Sequence, residues 1–114
     1  QSLEKVVEIF STSNQKIIPI LDEKKNLLGI VEYDTVKAYI FNPYRIKFTP
    51  IQEVITAPKA LLNVEDGMIE ILKSFDSTKA KELPILKDGL YYGCLTKLKI
   101  LEKYRIKSKE LVIE

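Results

Sequence analysis

Few side chains in this 114-residue sequence could do chemistry. There is no His, which removes the commonest general base and the commonest transition-metal ligand. The single cysteine, Cys94, stands in the apolar run Tyr91-Tyr92-Gly93-Cys94-Leu95. With no His to activate it, it reads as a small buried hydrophobe and not as a nucleophile. Four zinc ligands cannot be assembled. Carboxylates occur as adjacent pairs, Asp22/Glu23 and Glu65/Asp66. These fall in a polar turn and at a helix start, where solvation and capping explain them. No Gly-rich phosphate loop and no nucleophile–base set is present. The expectation is therefore that the chain is not an enzyme, with no catalytic residue and no metal site. What remains are polar groups in no catalytic arrangement.

The elements that must position those groups follow from the spacing of apolar residues. Leu3, Val6, Val7, Ile9 and Phe10 form a helical stripe over 3–12, with Ser2 as its cap. Lys16–Leu21 and Leu27–Val31 are short apolar runs around the polar turn 22–26, which reads as a hairpin. A helix is predicted from Asp34 through Ile40. Residues 41–48, with Pro43 and three aromatics but no clean period, read as an ordered linker. Thr49-Pro50 is a helix-start pair, with Thr as cap and Pro at the first helical position, giving a short helix to about residue 55. Residues 59–63 read as extended and 66–75 as a helix carrying Met68, Ile71, Leu72 and Phe75. Glu82–Leu86 and Leu90–Thr96 flank Asp88-Gly89, a dipeptide suited to the positive φ angles of a tight hairpin. A last helix is predicted over 98–109. The predicted core is Val6, Val7, Phe10, Ile18, Ile20, Ile30, Ile69, Leu72, Phe75, Leu83, Ile85, Leu95 and Ile100.

Composition is that of an ordinary globule: 46% hydrophobic, 30% charged, net charge +2 from 18 basic and 16 acidic residues. The two signs are interspersed, so nucleic acid is not an expected partner. No run approaches the ~20 apolar residues that span a bilayer, and no signal peptide is read. The one thiol fits a reducing compartment. Because Gln1 leads directly into a helical pattern without Met, the chain is read as a piece of something longer.

The two halves repeat. KIIPIL parallels KELPIL, and LLGIV parallels YYGCL. Phe10 and Phe75, Pro19 and Pro84, Ile20 and Ile85, and Leu21 and Leu86 are each 65 residues apart, whereas Gly29 and Gly93 are 64 apart. The second hairpin turn is thus one residue shorter, and turns are where a repeat tolerates a length change. Two copies of one supersecondary unit, neither able to cover its own sheet, are expected to pack together. Proline, which cannot donate to a ladder, belongs at a strand edge or start in each copy.

The pattern carried by IIPILDEKKNLLGIVEYDTV (17–36) and ELPILKDGLYYGCLTKLKI (82–100) resembles the CBS domain, the repeat named after cystathionine beta-synthase. The resemblance covers nearly the whole chain. It implies an α+β fold: a tandem CBS pair of two βαββα-like repeats about a pseudo-twofold axis, with the first repeat lacking its N-terminal strand. The boundaries are then 1–41 for repeat one, 42–48 for the linker and 49–114 for repeat two with its C-terminal helix. The linker IFNPYRIKFTPIQEVIT (40–56) and the segment 86–111 also look like the cytosolic CBS region of bacterial CLC-family chloride channel proteins. That likeness implies a regulatory and dimerisation module of a chloride channel or chloride/proton exchanger, modulating ion transport. The module would lie on the cytoplasmic side of the cell membrane, not embedded in it. Its partners would be the membrane channel portion of the same polypeptide and a second copy. Val36, Ile40, Ile100, Leu101 and Tyr104 are the candidate homodimer surface.

The alternative is an adenosine-nucleotide-sensing CBS module of another transporter or of a soluble enzyme. In such modules a Ser/Thr-x-x-Asp stretch after the second hairpin strand places a hydroxyl on phosphate and a carboxylate on the ribose. Repeat one has Glu32 and Thr35 at those positions, with Asp34 one residue early, about 100° round a helix. A Glu facing phosphate repels it. Repeat two keeps Thr96 but has Lys99 for the Asp, and an ammonium cannot accept a ribose hydrogen bond. The better candidate site is thus in repeat two: Thr96, Lys99 and the backbone of Glu82, Leu83 and Pro84. No cofactor is required; AMP, ADP or ATP is the ligand such a site would take.

Overall fold

The structure, a computed structural model, describes residues 3–100. The chain divides between Pro58 and Lys59 into two compact units.

The first unit begins with helix α1 (Glu4–Thr12), which buries Val6 and Phe10. Strands β1 (Ile17–Leu21) and β2 (Leu27–Glu32) pair antiparallel. The turn between them is built by Asp22: Oδ1 accepts the Lys24 and Asn26 amides at 2.8 and 2.9 Å, and Oδ2 accepts from Asn26 Nδ2 at 3.0 Å. Those bonds to the charged form hold the Asp22 carboxyl below its usual range. Helix α2 (Tyr33–Val36) is a single turn that tightens into a 3-10 turn at Lys37–Tyr39, a shorter helix than the run to Ile40 expected from sequence. The stretch 41–48, read from sequence as an ordered linker, contains a helix. Pro43–Phe48 form helix α3, capped by Asn42, whose side chain accepts the Arg45 amide at 3.1 Å. The Asn-Pro pair is the cap-then-proline signal sought at Thr49-Pro50. There it yields only a 3-10 turn, Ile51–Glu53.

Ile51 and Val54 are buried with Leu3, Val6, Phe10, Ile18, Val31 and Val36 in the first unit's core. Backbone bonds of 2.8 Å in both directions tie Thr56 to Ile30. The sequence division at residue 49 and the packing division after Pro58 therefore differ, because 51–56 close over β2. Gly29 permits this: a Cβ there would lie 2.5 Å from Ile55 Cγ2 and 3.0 Å from the Thr56 oxygen.

In the second unit β3 (Leu62–Asn63) runs parallel to β4 (Glu82–Lys87), and β4 pairs antiparallel with β5 (Leu90–Thr96). Helix α4 (Met68–Thr78) makes the crossover between β3 and β4. Its end is set by Lys79, left-handed at φ 60°, whose amide bonds the Phe75 carbonyl at 3.0 Å. The Asp88-Gly89 loop has φ 53° and 82°, as a two-residue hairpin requires. Leu62, Ile71, Phe75, Leu83, Ile85 and Ile100 form the core. Ile69 is a correction to the expected core. It is 70% exposed, one residue out of phase with Met68, and Ile71 is buried instead.

The repeat extends to single hydrogen bonds. Pro19 faces Ile30 as Pro84 faces Cys94. Both ladders slip at the same place, between Ile20 and Leu21 and between Ile85 and Leu86. The residues left unpaired by the slips, Leu28 and Tyr92, are both exposed. At the strand ends the Tyr33 amide bonds the Lys16 carbonyl at 2.9 Å, and the Lys97 amide bonds the Lys81 carbonyl at 3.0 Å.

Candidate functional site

Each hairpin turns one face to its own core and leaves a second. In the second unit the pleat puts Leu83, Ile85 and Leu95 on the core side. Their alternates, Glu82 paired with Thr96 and Pro84 paired with Cys94, share the other side. The extra residue Tyr92 lets Tyr91 join that side, and its hydroxyl lies 3.4 Å from Cys94 Sγ. Burial, the Cys94 contact and the Glu82 charge all push the Tyr91 phenol up from its ordinary value. Burial chiefly raises the Cys94 thiol as well, so it is neutral and unreactive at pH 7. The corresponding face of the first unit carries Ile17, Pro19, Ile30 and Glu32, with both isoleucines buried. Hydroxyl chemistry is therefore confined to the second hairpin, and the first keeps one carboxylate.

Thr96 ends β5, and residues 97–100 are helical. Its Oγ1 accepts the Lys99 amide at 3.4 Å, a side-chain cap three residues on. The hydroxyl proton is left to donate. Glu32, in the same place in the first unit, precedes α2 and makes no side-chain cap. Lys81 and Lys97 meet at the base of this corner through their backbone bond, Lys97 Nζ is engaged with Asp76 at 3.6 Å, and Lys99 is exposed. An acceptor carboxylate and a donor hydroxyl paired across two strands can together meet a ligand that offers both hydroxyl donors and acceptor oxygens. Among the described residues no cluster of three or more His, Cys, Asp or Glu side chains could hold a metal.

Of the residues singled out from sequence, Glu82, Pro84 and Thr96 come together on one face. Leu83, expected to contribute backbone alone, has its side chain buried in the core. Lys99 meets Thr96 through its amide. Tyr91 was missed, because its place depends on a ladder slip with no sequence signature. Asp34 is exposed and pairs with Lys37 at 3.2 Å, away from any cap role. The candidate dimer surface needs correction. Val36 and Ile100 are buried inside their own units and cannot present side chains to a partner. Ile40 is half-buried, and Leu101 and Tyr104 lie outside the described residues.

No family model matches the sequence, and no curated protein does. Solved structures do match. A CBS domain-containing protein of unknown function from Bacillus anthracis is 22% identical, with TM-score 0.77 over 94% of this chain and 80% of that one. The protein CBSX2, solved in complex with AMP, is 19% identical, with TM-score 0.76 over 94% of this chain and 84% of that one. CbpB, solved in complex with c-di-AMP, is 15% identical, with TM-score 0.76 over 98% of this chain and 77% of that one. The chain thus has the α+β fold of CBS-domain proteins.

Proposed function

We propose that this chain is a regulatory CBS module, without catalytic activity, that senses an adenosine nucleotide through its second unit. The observation that carries the reading is the pairing of Glu82 with Thr96 on the non-core face of the second hairpin, with the Thr96 hydroxyl capping the turn that begins at Lys97. Glu82 has the acceptor oxygens that the ribose hydroxyls need, which Lys99 lacks. The Thr96 hydroxyl can donate to the phosphate, and exposed Lys99, three residues on, supplies a cation for it. In the first unit Glu32 replaces the hydroxyl and would repel phosphate. Two proteins of the same fold are solved with AMP and with c-di-AMP, which supports an adenine nucleotide as ligand class.

The test is thermal unfolding with and without AMP, ADP and ATP, on the native chain and on Thr96→Asp. Aspartate caps a helix as well as threonine does, so the variant should fold, yet it adds a charge that repels phosphate. A midpoint raised by several degrees in the native chain and unmoved in the variant supports the reading, since ligand at about 100 times its Kd adds about 2.7 kcal/mol. No shift with any nucleotide, or equal shifts in both proteins, refutes it.

A second reading concerns the parent. The likeness of segments 40–56 and 86–111 to CLC-family proteins favours a homodimeric module on the cytoplasmic side of a chloride channel or exchanger. Ten or so apolar spans encoded upstream would support that, and a soluble enzyme there would refute it.

A further inference from the structure

The segment joining the α2 turn to the end of α3 exposes aromatic rings that no core uses. Phe41 is 94% exposed, Tyr44 73% and Phe48 61%. On α3 only Ile46 packs against the first unit's core. Tyr44 and Phe48 each lie two residues from it, about 200° round the helix. They therefore point away from the core together, with ring centroids 4.7 Å apart. Phe41 precedes them beyond the Asn42 cap. Lys47 lies 5.7 Å from the exposed Phe48 ring, while Arg45 sits 4.2 Å over Tyr39, a half-buried ring that packs on the first unit's core.

Charge distribution selects the occupant. From Thr35 to Gln52 the only charged residues are Lys37, Arg45 and Lys47, whereas the rest of the chain has a net charge of about −1. Lys37 is paired with Asp34, which leaves Arg45 and Lys47 as the exposed cations of α3. Exposed aromatics flanked by Arg and Lys match the headgroup region of an anionic bilayer, where rings sit at the interface and cations meet phosphates. A hydrophobic protein groove would satisfy the rings and leave two charges to be desolvated. No helix among the described residues is long and apolar enough to cross a membrane, so the contact would be at the surface.

We infer that residues 41–48 dock on an anionic lipid surface, reversibly and independently of any nucleotide. The test is co-sedimentation of the chain with vesicles of phosphatidylcholine alone and of phosphatidylcholine mixed with phosphatidylserine, at low and at high salt. Binding should require phosphatidylserine and fall with salt. Arg45→Gln with Lys47→Gln should lower partitioning roughly 25-fold, at about fivefold per cation. Phe41→Ser, a change at a side chain that touches almost nothing, should lower it without altering the melting midpoint. No binding to either vesicle overturns the inference, as does binding that both variants leave unchanged. A concentration-dependent dimer that Phe41→Ser dissolves, with no vesicle binding, would assign the patch to a second copy and overturn it too.

Discussion

Replacing Gly29 and Gly93 separately by alanine should split two positions that the repeat makes equivalent. At Gly29 the new methyl would meet Ile55 Cγ2 at 2.5 Å and the Thr56 carbonyl at 3.0 Å. The first is a side-chain atom that can turn. The second is backbone, held to Ile30 by two bonds of 2.8 Å. Forcing the segment outward costs about 1–3 kcal/mol as overpacking, and each bridge bond weakened adds about 1 kcal/mol. A total of about 1–5 kcal/mol, at about 4 °C per kcal/mol, should lower the midpoint by roughly 4–20 °C. Gly93 meets nothing within 4 Å. Its φ is outside the positive region, so alanine there is neutral or raises stability by about 0.4–1 kcal/mol through the unfolded chain. Thermal denaturation followed by circular dichroism reads both. Equal losses at the two positions would show that the approach of 55–56 to β2 is not what requires glycine, and the reasoning would fail.

Other outcomes follow from single contacts. Lys79→Gly should raise stability by about 1 kcal/mol in denaturant titration, since it relieves a left-handed residue at the end of α4. Ile71→Ala should cost about 2–5 kcal/mol, and Ile69→Ala, one turn-phase away and exposed, less than about 0.5 kcal/mol. The Cys94 thiol, raised by burial above its ordinary 9.0, binds its proton more tightly in the folded state. Its contribution to stability is complete below about pH 9 and is lost as pH rises through the folded value, so Cys94→Ala should show a shallower alkaline decline in midpoint.

The repeat was legible because its signals are local. Short apolar runs around Pro19 and Pro84, the polar turn 22–26 and the Asp88-Gly89 turn define both hairpins without reference to the rest of the chain. Two kinds of feature were not. Where one signal competes with another, as at Asn42-Pro43 against Thr49-Pro50, the cap that finds an amide wins. Asn42 bonds Arg45, whereas Pro50 precedes a turn whose Ile51 and Val54 are drawn into the first unit's core. Register defects, too, lie in the pairing of two strands and not in either sequence, so Tyr91 could not be placed beside Cys94 beforehand. Val36 illustrates a third limit: on a one-turn helix too short for periodicity, an apolar residue read as a docking surface is fully buried. Glu82 and Thr96 were reached through the likeness of 82–100 to the CBS pattern, and the structure pairs the two across β4 and β5.

The most direct test of nucleotide binding at the second unit is an amide chemical-shift titration of the labelled chain with AMP. Saturable shifts centred on Glu82, Tyr91, Thr96 and Lys97, with the amides around Glu32 and Tyr33 little changed, are what the account predicts. Shifts centred on the first hairpin, or none at saturating AMP, would contradict it.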